Sequence, residues 1–415
     1  VHYVPVLPMV LLEYLKIPAE GWNHLSFARN AVFLAEIVLL MFSAKPGDDL
    51  PERLRDLADT VAEDGDNALA LVEEMEEELC ERFGRSDALP IAADNFAGDI
   101  RRVRGVDYSV GKCAYSEKTN TLVVDELPMW VTVQKFVDSL EPWCENQKET
   151  KKAAKKPPKK DREVYIRSIS DFSGETNVDV HIELMPGAWE AINAKYSTPE
   201  FDGIFNLIKN LKKTITPKLN YVSATGGVME FNRSYLAALM YWFPFRRDMY
   251  KKRLERRIII LDAQIKLEEE ICRYVELSRA GKIRVSAIED EEKAARELER
   301  LGFLKIDKGF VNSPKYAPVD TIERRAFGTD LARVNSRASY DYLLDLTERE
   351  TLTSSYNRRL AKLGKLRAEQ AECLEKMGEK PFPGVSIWAT DIVRVMKVIE
   401  LGNRTAWEFE TGLDA

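Results

Sequence analysis

The sequence predicts a helix-rich α+β fold, in which a strand-bearing region precedes a long helical arm, a small helical piece and a returning helix. Three observations lead there. After Pro244 the chain runs about 35 residues with neither proline nor glycine, and Leu254, Ile258, Leu261, Ile265, Ile271 and Val275 recur at helical spacing among charges. Between residues 96 and 184, apolar and polar residues alternate in short runs parted by turn residues, as half-buried strands do. Hydrophobic residues make up 45% and charged residues 31% of the chain, and 415 residues suffice for two or three cores.

Composition excludes several classes of function. A net charge of −7 argues against a uniformly basic nucleic-acid coat, yet 61 lysines and arginines leave room for a local basic face. The five cysteines (Cys80, Cys113, Cys144, Cys272, Cys373) show no CxxC spacing and read as free thiols in a reducing compartment. His2, His24 and His181 are too few and too scattered for a metal centre. No apolar run reaches membrane-spanning length; residues 31–42 are too short, carry Glu36, and read as a core helix. Asp64 and Asp66 flank a glycine and read as a turn, and no glycine-rich phosphate loop is present. The chain opens on VHYVPVLPMVLL without a methionine, so the expectation is a piece of a longer polypeptide.

Taken in order, residues 3–22 place Pro5 and Pro8 among apolar residues, with a turn at Pro18 to Gly21. Residues 52–84 form an acidic helical segment broken at Gly65, with Leu54, Leu57, Val61, Leu69, Leu71, Met75 and Leu79 near helical intervals. Its acidic faces repel phosphate, so it reads as a solvated insertion without chemistry. Strands are expected at 101–105, 108–115 and 121–125, with a turn at 116–120, then a helix over 132–140. The stretch KETKKAAKKPPKKDR (148–162) holds seven lysines and an arginine around Pro157-Pro158, and reads as a linker or a phosphate-contacting arm. Strands resume at 164–169 and 178–184, and a short helix follows at about 187–193. In residues 210–222, Lys212, Lys213, Thr214, Thr216, Lys218 and Asn220 interleave with Ile215 and Leu219. An extended chain there would line up donors on one side, suited to phosphate oxygens. The arm itself, at ~1.5 Å per residue, spans roughly 50 Å, bends at Pro244 and stops at Gly281. A short helix over 289–302, an irregular stretch to Phe327, and a returning helix over 356–377 complete the chain. That helix carries leucines at 360, 363, 366 and 374 and could pair antiparallel with the arm.

Particular words in these segments resemble type IIA DNA topoisomerases of the eukaryotic and large-DNA-virus side. YWFPFRRDMYKKR (241–253) is similar to the family's F-Y-x-x-R-L-x-x-Y-x-K-R, through Arg246, Tyr250, Lys252 and Arg253, with Arg247 in place of its leucine. Tyr3, Pro5, Leu7, Pro8, Met9, Leu11 and Gly21-Trp22 match Y-I-P-I-L-P-M-x-L-x-N-G-x-x-G-I-G-x-G-W, although Glu13 to Ala19 replace its glycine-rich middle. Gly98, Ile100, Gly111, Leu122 and Glu126-Leu127-Pro128 match the opening of the family's tower domain, and Lys212 with Asn220 its F-K-L segment. LERLGF (298–303) is close to the family's L-x-x-L-G-F, YDYLL (340–344) with Leu346 and Thr351-Leu352-Thr353 resembles its lower-gate signature, and IWATDI (387–392) matches its I-W-x-x-D-L and closing helix.

The resemblance implies an architecture: the end of a winged-helix domain at 1–45, a tower at 46–230 with the acidic insertion 47–84 and the lysine loop 146–162, an outbound coiled-coil arm at 231–280, a globular dimerisation gate at 281–350, and a return helix with a closing helix at 351–415. It implies an ATP-dependent enzyme that passes one duplex through a transient double-strand break in another, by attack of a tyrosine hydroxyl on a backbone phosphorus with Mg2+. The nucleophile, the Mg2+ site and the ATPase are expected outside this segment, whose own part is to bind and bend duplex DNA and to form the exit gate of a homodimer. The DNA-facing residues it implies are Trp22, Leu25, Phe27, Lys212, Lys213, Thr214, Thr216, Lys218 and Asn220, beside Lys155, Lys156, Lys159 and Lys160 of the lysine loop. Leu25 or Phe27 would be the apolar wedge that kinks the duplex. The compartment would be the nucleus in a eukaryote, or the viral factory, host cytoplasm or virion for a large DNA virus, with no membrane partner. Two other classes fit parts of the sequence: a dimeric coiled-coil scaffold of chromosome-maintenance type, and a non-enzymatic DNA-binding adaptor.

Overall fold

The computed structural model describes residues 5–18, 23–63, 68–92, 96–104, 106–145, 163–175, 177–222, 228–231, 234–283, 288, 290–314, 318–328 and 337–402. The elements run α1 (Met9–Leu12), β1 (Leu15–Pro18), β2 (Asn23–Ser26), α2 (Ala31–Leu40), α3 (Leu50–Glu63), α4 (Leu69–Phe83) and β3 (Asp99–Val103). They continue with β4 (Val106–Val110), β5 (Lys112–Ser116), β6 (Thr121–Glu126), α5 (Val133–Leu140), β7 (Ile166–Asp171), β8 (Val180–Leu184) and α6 (Ala188–Tyr196). Next come α7 (Gly203–Leu207), β9 (Lys212–Ile215), β10 (Asn220–Val222), β11 (Val228–Glu230) and the long α8 (Tyr235–Arg279). The chain closes with α9 (Glu291–Arg300), α10 (Lys308–Asn312), α11 (Val319–Phe327), α12 (Asp341–Leu344), α13 (Thr353–Met377) and α14 (Val385–Gly402). The fold is α+β with small antiparallel sheets and a dominant helix, as the sequence predicts.

The chain packs as two units, one holding the described residues of Met9–Leu34 and Asp64–Leu239, the other those of Val1–Pro8, Ala35–Glu63 and Met240–Ala415. The first bears the sheets. Its main sheet has the order β5-β6-β8-β7, all antiparallel. Alternation does the work expected of it. Leu122 faces Ile182 and Val124 faces Val180 across the β6–β8 ladder, and all four are buried on one face beneath Phe136 and Leu140 of α5 and Ile192 of α6. Burying each such aliphatic side chain stabilises the fold by about 1.5–3 kcal/mol. Thr132 caps α5 by accepting from the Lys135 N–H.

A second sheet, β3-β4-β9, joins strands from either end of this unit. Here the sequence expectation of one strand over 108–115 needs correction. The run divides at Gly111, with β4 in the three-stranded sheet and β5 in the four-stranded one. The reason is a close approach: a Cβ at Gly111 would lie 2.5 Å from the Glu126 carbonyl oxygen, so only glycine lets the chain pass there.

The helical unit centres on the aromatic words of the sequence. Trp388 of α14 is fully buried, with the rings of Phe42, Phe243, Tyr250, Trp242 and Phe382 centred 4.9 to 6.0 Å away, and its indole N–H donates to the Val6 carbonyl at 3.2 Å. Tyr250 donates to Asp391 at 2.9 Å and accepts from Arg246 at 2.8 Å, so these residues of the matched word tie α8 to α14. Arg247, where the family pattern has leucine, forms a bidentate pair with Asp59 of the acidic helix α3 at 3.0 and 2.9 Å. Helix α8 runs through Pro244 as one element. It ends at Arg279, where Gly281 sits at φ 70° and the Lys282 and Gly281 N–H groups bond back to Leu277 and Ser278.

Helix α13 returns antiparallel along α8. The cross-pairs are Arg257–Glu369, Glu268 with Arg359 and Lys362, Arg367–Glu269, Tyr356–Glu276, and Arg279 to the Thr351 carbonyl just ahead of α13; from Arg257–Glu369 through Tyr356–Glu276 to Arg279–Thr351 the α8 number rises as its partner's falls. Glu268 is 3% exposed, so its two cationic partners offset a real burial cost. Another stretch of α8, Ala263 to Val275, is the spine of the second core, with Leu298, Phe303, Phe310, Ile322, Tyr342 and Leu343 packed on it. The piece between α8 and α13 thus packs against α8 itself.

Replacing Trp388 by alanine is expected to lower the stability of the helical unit by about 3–5 kcal/mol, as for other buried Trp truncations. A urea titration of the chain should show that unit unfolding well before the other.

Candidate nucleic-acid interface

The site grows from a pairing distant in sequence. Strand β1 pairs with β2 as a hairpin, Lys16 opposite Leu25, which puts those two side chains on one face. Residue Leu25 then makes two backbone hydrogen bonds to Lys218: its N–H donates to the Lys218 carbonyl at 2.9 Å and its carbonyl accepts at 2.8 Å. Asn220 reinforces the join. Its amide donates to the Asn23 carbonyl at 2.7 Å, and its own carbonyl lies 2.9 Å from His24 Nδ1. The two segments singled out separately in the sequence, 23–27 and 212–220, therefore form one surface.

On that surface lies a groove of about 280 Å³, lined by Tyr14, Lys16, Leu25, Phe27, Ser109, Met129, Trp130 and residues 213–216. Among the described residues lining it there are two lysines and no carboxylate, in a chain of net charge −7. Lys213, Thr214, Thr216 and Lys218 are exposed, while Ile215 and Leu219 are buried. Exposed ammonium and hydroxyl donors suit phosphate oxygens and carry no base code.

The expected alignment of all donors on one side needs correction. Because β9 pairs with β4, Lys213 shares a face with Ser109, whereas Lys212 and Thr214 share the opposite face with Val110 and Tyr108. Lys212 lies 4.1 Å over the Phe201 ring and donates to Asn206, and burial lowers its pKa from the ordinary lysine value against the pull of Glu200. Asn220 spends an amide donor on the hairpin, as described above. Phe27 is 4% exposed, with its N–H donating to Tyr235 Oη at 2.9 Å, so it supports the groove from beneath. Leu25 is half-buried at the groove. Trp22, Lys155, Lys156, Lys159 and Lys160 lie outside the described residues.

Sequence reasoning missed Tyr14, Lys16 and Trp130. The Tyr14 and Trp130 rings stack at 5.3 Å and 21°, each residue 44% exposed. Trp130 holds φ at 62°, a left-handed backbone that costs a non-glycine residue about 1–3 kcal/mol. The Met129 N–H, donating to Ser109 Oγ at 2.9 Å, and the Val131 N–H, donating to the Pro128 carbonyl at 3.0 Å, hold that turn. A tryptophan directly after Glu126-Leu127-Pro128-Met129 was the available signal.

Behind β9 lies a cavity of about 200 Å³ with a buried charge network. Arg29 donates to the Leu89 carbonyl at 2.7 Å, approaches Asp87 at 3.4 Å and Asp107 at 4.0 Å, and stacks 3.5 Å above the Tyr235 ring. Arg102 pairs with Asp87 at 3.0 Å and reaches Glu76 at 3.8 Å. Burial holds the Glu76 and Asp107 carboxyls above their ordinary values; the Ser234 hydroxyl and Arg102 oppose this at Glu76, and Arg29 opposes it at Asp107. Ile215, Thr216 and Pro217 line this cavity too, so the network backs the strand that carries the groove. Among the described residues no group of three or more His, Cys, Asp or Glu is placed to hold a metal. No described helix is long and apolar enough to cross a membrane.

Comparison with known proteins follows the whole chain. No family model matches it. It is 29% identical over 411 residues, 98% of its length, to the DNA topoisomerase 2 of African swine fever virus from a Malawi tick isolate, and equally identical over 412 residues to that of a Kenyan pig isolate. The DNA topoisomerase 2 of Trypanosoma brucei brucei is 26% identical over 220 residues, 52% of this chain and 16% of its own length. The chain spans 30% of the length of the viral relatives. In fold it is similar to the topoisomerase II DNA-binding, cleavage and re-ligation domain of Plasmodium falciparum, with a TM-score of 0.53 and 14% identity, over 97% of this chain and 46% of that one.

The raised carboxyl of Glu76 has a pH signature. A carboxyl whose folded pKa lies above the unfolded value weakens the fold as pH climbs past the ordinary 4.5. Glu76→Gln is therefore expected to be more stable than the parent at neutral pH. Denaturant titrations at several pH values should show the gain vanish below 4.5.

Proposed function

We propose that this chain, related to DNA topoisomerase 2 along 98% of its length, is the DNA-bending and gate-forming segment of a type II DNA topoisomerase. The observation that carries the reading is the join of Leu25 to Lys218. It sets a hairpin with an apolar tooth beside a strand of exposed donors, which is the combination a duplex-kinking surface needs. In this reading Lys16, Lys213 and Lys218 neutralise phosphates of the bound duplex, and the hydroxyl of Thr216 donates to them. Leu25 enters a base step and opens it. Bending a site by 40–90° costs on the order of 1–6 kcal/mol, which the added phosphate contacts offset.

The helical unit supplies the second half of the role. Helices α8 and α13 form the coiled-coil arm, and the core packed on Ala263 to Val275 forms the exit gate, where two copies of the chain meet about a two-fold axis. Mg2+ and ATP serve the intact enzyme from outside this segment, where the nucleophilic tyrosine also lies. What this segment contributes is conformational: it holds the bent duplex and controls release of the passed one.

The lysines give a quantitative test. Binding of a short duplex to the chain, followed by anisotropy across a salt series, should have a steep log–log slope. Replacing Lys16, Lys213 and Lys218 together by alanine should lower its magnitude by about 2.7, since each lost phosphate contact removes about 0.9. An unchanged slope would place the duplex elsewhere.

A further inference from the structure

We propose that the Tyr14–Trp130 stack is a platform for one nucleobase displaced from the helical stack of the bound duplex. The inference rests on the DNA-binding reading above and adds a site to it. Two large rings lie stacked at 21° with each residue 44% exposed, at the mouth of a groove whose described lining holds no carboxylate. The tryptophan is kept there by a left-handed backbone at φ 62°, fixed by the hydrogen bonds of Met129 and Val131. Phe27 supports it from below, its ring centred 4.8 Å from that of Trp130 and almost fully buried. The platform is therefore rigid, flat and built, and no part of the core requires its outer face.

The surroundings specify the ligand. Lys16 and Lys213 line the same groove, so a flat ring seated on the stack has ammonium groups at hand for its flanking phosphates. A nucleobase in an unbent duplex has both faces covered by its neighbours and offers none to the platform. A bend that opens a base step frees one, and every base has a π-face, so the platform has no sequence preference. Leu25 lines the same groove, within the same small surface as the platform.

The test compares two short duplexes, one fully paired and one with a single bulged 2-aminopurine, whose cost of unstacking is already met. The chain is expected to bind the bulged duplex about tenfold more tightly and to quench its fluorescence. Trp130→Gly, which also relieves the left-handed backbone, and Tyr14→Ala should each erase that preference and the quenching. Lys213→Ala should weaken both duplexes by the same factor. Preference and quenching that survive in both aromatic variants would overturn the platform, as would a parent chain that binds the paired duplex and shows no preference. A chain that binds neither duplex would overturn the DNA-binding reading itself.

Discussion

The pair of backbone hydrogen bonds between Leu25 and Lys218 is the constraint on which the sheet-bearing unit depends. It brings together segments separated by most of the unit's sequence, so the chain between them must fold for the groove to exist. The entropy of closing so long a loop is met by the two sheets and by the core under Leu122, Val124, Val180 and Ile182. The buried Arg29 network then fixes the back of β9. Arg29 is expensive to bury, and its carbonyl, carboxylate and aromatic neighbours offset that cost only when Leu89, Asp87 and Tyr235 are all in place. Groove and network are thus two sides of one strand.

The helical unit is organised by a different interaction. Aromatic packing around Trp388 fixes the base of the arm, and a row of charged pairs fixes the register of α8 against α13. Most of those pairs are partly exposed, so each adds little stability, but together they define a single alignment. Glu268 is the exception, since a buried carboxylate between Arg359 and Lys362 tolerates no slip of either helix.

Much of this was legible in the sequence, because local period reports local structure. The long helix, its stop at Gly281, the helix after Thr132, and the buried faces of β6 and β8 all follow from spacing and turn chemistry. Period reports which face is buried and says nothing about which strand comes to cover it. For that reason the splitting of 108–115 at Gly111 and the docking of β9 on β4 were not readable. The same gap hid the contacts of Lys212 with Phe201 and Asn206. Tyr14 and Trp130, more than a hundred residues apart, meet only through the tertiary fold. The family words fared differently: Arg246 and Tyr250 bond to each other and on to Asp391, and Tyr250 and Trp388 are buried, so the spacing of these words reflects how α8 is tied to α14.

In the proposed reading the groove beside Leu25 and Lys218 seats the duplex through which another is passed. Decatenation of linked DNA circles by the intact protein, with ATP and Mg2+, tests it most directly. Reversing the charge of Lys16, Lys213 and Lys218 should abolish decatenation while leaving ATP hydrolysis in the absence of DNA at the parental rate. Decatenation at the parental rate in the charge-reversed protein would contradict the account.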